Sequence, residues 1–160
     1  MRAAEEGLSV YLFGTTAETL ASVSQRLTRQ SQHTLNIAGA VAPPFGFDPT
    51  GPEADAALDR IAESGARICF VALGSYKGEL FAARGVERGI RTGFVCVGAA
   101  LDFISGQQVR APKTVQRARM EWAWRLASNP KKLASRYAKC ALLLPVIALQ
   151  SSQASGTVHR

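Results

Sequence analysis

ARICFVALG, residues 66–74, decides the fold. From Ile68 to Leu73 it is an unbroken apolar run, closed by Gly74. A strand with one wet face alternates polar and apolar residues; a run without alternation is buried on both faces, as in a parallel sheet covered by helices. The pattern repeats on either side. LSVYLFG (8–14), TLNIAGAVA (34–42) and RTGFVCVGA (91–99) read as further strands, rich in β-branched and aromatic residues. Between them lie helix-period segments. In 17–29, Leu20, Val23 and Leu27 recur at spacings of three and four, with Thr15 or Thr16 placed to cap. Residues 53–64 put Ala57, Leu58 and Ile61 on one face, and 77–88 form a third helix. The order β-α-β-α-β-α-β predicts a parallel α/β sheet with right-handed crossovers. Ligands of such sheets bind outside the carboxyl ends of the strands. Those ends are Gly14, the loop PPFGFDPTGP (43–52), Leu73-Gly74-Ser75 and the stretch Gly98 to Asp102.

At 160 residues with 47% hydrophobic content, the chain is long enough for one well-formed core. MRAAEEGLSVYLFG puts two glutamates before a short apolar run, so it does not read as a secretory signal. No run approaches the roughly 18–20 apolar residues of a membrane span. The nearest, CALLLPVIAL (140–149), is short and contains Pro145. The tail SSQASGTVHR reads as disordered. Cys69 and Cys96 sit in strand-like runs and are expected to be buried free thiols of a reducing compartment. No cysteine or histidine spacing suggests a metal site, and His33 and His159 are not placed for catalysis.

Charge divides the chain. Residues 1–109 carry nine Lys/Arg and eleven Asp/Glu; residues 110–160 carry ten and one. The last third is therefore strongly basic and implies an anionic partner. Its centre, RAPKTVQRARMEWAWRL (110–126), sets Arg110, Lys113, Arg117, Arg119 and Arg125 against the single carboxylate Glu121. Pro112 sits at a helix start, with residues 113–127 helical and a second helix from Asn129-Pro130 to about Cys140. Arg117–Glu121 and Glu121–Arg125 are then i,i+4 pairs, and of Trp122 and Trp124 one is expected to pack on the sheet domain and the other to lie at an interface. No recognised nucleic-acid motif accompanies these residues, so a nucleic-acid partner is not expected.

Two further stretches carry candidate chemistry. GTTAET after the first strand lacks the second and third glycines of a GxGxxG turn, which disfavours nicotinamide or flavin binding. LGSYKGELF (73–81) leaves the third strand and opens a helix. Its backbone N–H groups and Lys77 suit a phosphate and Glu79 suits a sugar hydroxyl; alternatively it is an ordinary first turn with an exposed lysine. VGAALDFISG (97–106) brings small residues to a strand end, with Asp102 either pointing into the cleft or capping a helix.

These stretches, in this order, resemble the WecG/TagA/CpsF glycosyltransferases. The family pattern GxPKQE is similar to GSYKGE (74–79), VGAAFDFxxG to VGAALDFISG (97–106), and RAPxWxxxxxLEWxxRLxxEPRRLxxRY to RAPKTVQRARMEWAWRLASNPKKLASRY (110–137). PPFGF (43–47) also occurs in many members. The resemblance covers roughly residues 8–140. It implies a Rossmann-like parallel sheet of about four strands with a helical, basic C-terminal appendage. Residues 8–106 would form the nucleotide-sugar-binding core, 107–140 the membrane- and diphosphate-contacting appendage, and 141–160 an apolar segment and tail. The implied reaction moves a hexose or N-acetylhexosamine-type sugar from a UDP-sugar to a polyprenyl-diphosphate-linked acceptor. It would occur on the cytoplasmic face of the membrane, in cell-surface or exopolysaccharide synthesis, without a metal or other cofactor. By motif position, Gly14, Phe45, Gly46, Gly74, Ser75, Lys77, Glu79, Gly98 and Asp102 would bind the nucleotide-sugar. Arg125, Lys132 and Arg136 would stabilise the diphosphate, Lys132 as a point charge where the family has arginine. Family members carry, before the strand that begins here at Leu8, a portion holding the aspartate proposed as general base. Neither Glu5 nor Glu6 matches it, so no base is nominated, and the alternative is a truncated, non-catalytic remnant that binds nucleotide, membrane or a partner chain. Half a sheet would leave an open edge and favour self-association.

Overall fold

The computed structural model describes residues 2–74, 76–107, 112–117 and 120–128. The chain divides into two compact units, Met1–Gln108 and Val109–Arg160.

The first unit begins with a single helical turn, α1 (Arg2–Glu5), and enters β1 (Val10–Gly14), whose five residues are all buried. Helix α2 (Ala17–Gln30) starts at Thr16, whose hydroxyl accepts the Thr19 amide at 3.2 Å. That satisfies one of the amides a helix start leaves unpaired. Strand β2 (Ile37–Val41) follows, then α3 (Pro52–Glu63), with Pro52 at its first position and Glu53 and Asp55 in its first turn. Both choices suit a helix start, proline by its fixed φ and the carboxylates by the helix dipole. Strand β3 (Ile68–Ala72), helix α4 (Lys77–Glu87), strand β4 (Gly93–Cys96) and the short helix α5 (Ala100–Ser105) complete the unit.

The sheet is parallel throughout, in the order β2-β1-β3-β4. The expected parallel α/β sheet is therefore present, with strands shorter than the apolar runs suggested. Alternation sorts the side chains. Tyr11, Phe13, Cys69 and Val71 face α3 and α4, where Leu58, Ile61 and Phe81 are fully buried. Val10 and Leu12 face α2 and α5, against Leu20, Val23 and Leu101. Phe81 is the hub of the first face. Its ring stacks on Phe13 at 4.5 Å and meets Phe47 and Phe94 edge-on at 5.9 and 6.2 Å. Gly85 of α4 packs tightly on β4: a Cβ there would lie 2.6 Å from the Phe94 ring.

Three expectations need correction. β3 is fully buried only towards α3 and α4; Ile68 and Phe70, on the other face, are half-buried. Cys69 is buried, but Cys96 is exposed, because it ends an edge strand. The single helix expected over 113–127 is two helices, α6 (Lys113–Arg117) and α7 (Glu121–Ser128). Arg117 and Glu121 consequently belong to different helices and are not an i,i+4 pair within one.

In the second unit, Met120 joins the two helices: its amide donates to the Val115 carbonyl and its carbonyl accepts the Trp124 amide, both at 3.1 Å. Val115, Met120, Ala123 and a half-buried Trp124 line an open, mainly apolar hollow between α6 and α7. The helix expected from Asn129-Pro130, the segment Cys140–Leu149 and the tail lie outside the described residues.

Candidate functional site

The connections of the sheet place the site. From β1 the chain leaves through α2 on one face towards β2; from β3 it leaves through α4 on the other face towards β4. The carboxyl ends of β1 and β3, side by side in register at Gly14 and Ala72, thus form the switch point where such sheets open a crevice. The floor of that crevice is backbone. Gly14 has φ +117°, and a Cβ there would lie 2.5 Å from the Ala72 carbonyl carbon and oxygen. Only glycine fits. The Thr15 amide then donates to the Ala72 carbonyl at 3.1 Å and holds the two ends together.

One wall comes from α5 and the start of α2. Thr15 Oγ1 donates to Asp102 Oδ1 at 2.8 Å, and Thr19 Oγ1 donates to Gln107 Oε1 at 2.9 Å. Asp102 lies in the first turn of α5, but the N-cap is Ala99 and no side chain caps the helix. Of the two readings offered for Asp102, capping is therefore excluded. Its carboxylate reaches across to the strand end.

The other wall is the loop between β2 and α3, which is held by its own hydrogen bonds. Asp48 Oδ1 accepts the Thr50 amide at 2.9 Å and the Thr50 hydroxyl at 2.8 Å. These two bonds, the amide's first, hold the Asp48 carboxyl below its ordinary range, with Lys77 and Arg84 adding to the effect. Phe47 is buried against Phe13 and Phe81, whereas Phe45 at the tip is fully exposed. Lys77 Nζ donates to the Phe47 carbonyl at 2.6 Å, so the first residue of α4 is tied to this loop.

Gly14, Phe45, Gly46, Gly74, Lys77, Gly98 and Asp102 accordingly lie at or just past the carboxyl ends of the four strands. Glu79, in the first turn of α4, is exposed. Arg125 belongs to α7 in the second unit and is described there by its backbone alone; Ser75, Lys132 and Arg136 lie outside the described residues. Sequence reasoning missed Thr15 as the partner of Asp102 and Phe47 as the partner of Lys77. No local signal marks pairs 87 and 30 residues apart.

Helices α3 and α4, which flank the loop wall, are clamped from outside. Arg84 makes a two-pronged contact with Asp55 at 2.7 and 2.8 Å, and Arg88 reaches Asp55 and Asp59 at 2.9 and 2.7 Å. Among the described residues no group of three or more His, Cys, Asp or Glu could hold a metal ion.

The model of the glycosyl transferase WecG/TagA/CpsF family matches residues 1–156. The chain belongs to this family. That makes it a glycosyltransferase by membership, a class that needs a sugar donor and an acceptor. The WecG/TagA/CpsF pattern also shows what is individual here. In GSYKGE, Tyr76 stands where the family pattern has proline, at φ +73° and ψ −46°. A proline ring holds φ near −65°, so the strand exit takes a shape closed to the family residue. Among the described residues no helix of this WecG/TagA/CpsF member is long and apolar enough to cross a membrane.

Proposed function

We propose that the chain moves a hexose or N-acetylhexosamine-type sugar from a UDP-sugar to a polyprenyl-diphosphate-linked acceptor in the synthesis of a cell-envelope polymer. The observation that carries this reading is the crevice between β1 and β3, with a backbone floor and the Thr15–Asp102 pair on its wall, in a chain of this family. Gly14 and Gly74 allow a ligand to approach the main chain closely. Lys77, at the start of α4, exchanges its carbonyl partner for a phosphate oxygen. Asp102 accepts hydrogen bonds from the nucleoside.

In the transfer, the bond from the anomeric carbon to the donor phosphate breaks, the acceptor oxygen forms the new bond and gives its proton to water, and UDP leaves with the negative charge. Cationic groups aimed at that charge stabilise the transition state. Arg125, Lys132 and Arg136 of the basic second unit are assigned this role, the arginines as two-pronged donors. They remove the need for a metal. The same positive charge draws the protein to the anionic inner face of the plasma membrane. Binding without transfer is the second reading, favoured by the departure of GSYKGE from the family pattern at Tyr76.

Calorimetric titration of the whole chain with UDP tests the proposal, repeated with Asp102→Ala and Arg125→Ala. Saturable binding, weakened by either substitution, is expected. Absence of binding at millimolar UDP overturns the reading. Sugar transfer to a lipid-linked acceptor separates enzyme from binding protein.

A further inference from the structure

Tyr76 is not explained by the fold. It sits at the N-cap of α4, yet its side chain caps nothing, and 73% of it is exposed. Its φ of +73° lies where a side chain is disfavoured and glycine is at ease. The chain thus keeps a large aromatic residue in a strained conformation without packing it. Strain of this kind persists where a site demands it.

The location of the ring narrows its use. Phe45 and Tyr76 are large aromatic residues left exposed, and both stand at the carboxyl edge of the sheet, after β2 and β3. The hydrogen bond from Lys77 to the Phe47 carbonyl ties together the two loops that carry them. Four described residues other than glycine have positive φ. Gln32 and His33 lie in the turn before β2, at the opposite end of the sheet, whereas Thr15 and Tyr76 flank the crevice. The crevice floor is main chain and its α5 wall is polar, so an apolar planar surface for a ligand has to come from the rim.

We infer that Tyr76 is the stacking platform for the nucleobase of the donor, with Phe45 the second aromatic of the same rim. This rests on the nucleotide-sugar reading above. A phenol ring offers a flat face to a flat base, and stacking tolerates any base, so Tyr76 supplies affinity while polar groups of the wall supply selectivity.

The test uses the whole chain, with Tyr76→Gly, Tyr76→Phe and Phe45→Ala beside the parent. Each is titrated with UDP, uridine and inorganic pyrophosphate, and its thermal unfolding is followed. Tyr76→Gly removes the ring and relieves the backbone together, so its Tm should rise while its affinity for UDP and uridine falls roughly tenfold. Pyrophosphate binding should not change. Tyr76→Phe should match the parent for all three ligands, and Phe45→Ala should show a smaller loss confined to UDP and uridine. If Tyr76→Gly binds UDP as tightly as the parent, the platform is disproved while the nucleotide reading stands. If it loses pyrophosphate and UDP equally, the residue shapes the phosphate turn and stacks nothing, and the inference fails. If the parent binds neither UDP nor uridine, both readings fall together.

Discussion

Cys69 and Cys96 lie in the adjacent strands β3 and β4, Cys69 opposite Phe94 and Cys96 opposite Val71, and they differ in exposure. Burial pushes the Cys69 thiol up to about 12, with Cys96 adding to the effect. Cys96 is raised from its ordinary 9.0 by partial burial first and by the Glu79 charge second, yet it is exposed. The thiolate is the reactive form. Alkylation followed by peptide mapping should therefore label Cys96 in the folded chain, at a rate still climbing with pH above 9.0. Cys69 should react only once the chain unfolds. Labelling of Cys69 at the same rate under native conditions would show that this core opens readily. The sequence placed both thiols in strands correctly. It could not show that β4 is an edge strand, which is why Cys96 read as buried. Asp102 illustrates a second limit. Its place in a family pattern was visible at once, whereas its partner Thr15 depends on how β1 and α5 meet in space.

At the scale of elements, the aromatic hub between the sheet and α4 should dominate stability. Phe81 is fully buried against three other rings. Truncating such a residue costs about 3–5 kcal/mol, so Phe81→Ala should unfold at much lower denaturant concentration, read by circular dichroism. The loop wall should loosen with it, because Phe47 packs on the same ring. The clamp between α3 and α4 gives a smaller, pH-dependent signal. The hydrogen bond from Arg84 holds the Asp55 carboxyl below its ordinary 3.8, with Arg88 helping. A depressed carboxyl contributes stability that is complete above the unfolded value and vanishes as pH falls through the folded one. Asp55→Asn should lower Tm modestly at pH 7 and have less effect as the pH drops below 3.8, since exposed pairs contribute little. An equal loss at both pH values would mean that the aspartate acts through packing. The long elements were legible because their hydrophobic periods were clean. Helix α5 was not, since six residues carry no measurable period. The break at Met120 was hidden because no proline or glycine interrupts 113–127.

For the whole molecule, the outer strands matter most. Among the described residues, β2 pairs only with β1 and β4 only with β3. Neither strand, IAGAV or GFVC, contains a charge or a proline, the usual guards of a sheet edge. Concentration-dependent self-association is therefore expected in sedimentation velocity at constant salt. A single sharp monomer boundary across a tenfold concentration range would refute it. The charge division supplies an independent handle. Association that survives high salt would follow the strand edges, while association that dissolves in salt would follow the basic last third.

The main-chain floor at Gly14 has a consequence for anyone who would redirect this site. Positions 14 and 72 form a fixed chassis: altering residue 14 forces the strands apart and changes the shape of everything above it. Positions 45 and 76 project from the chassis and touch little of it. A mutagenic library aimed at donor affinity should therefore randomise the two aromatic positions and leave the glycine untouched. Variants with altered affinity are then expected among well-folded clones instead of among the collapsed ones.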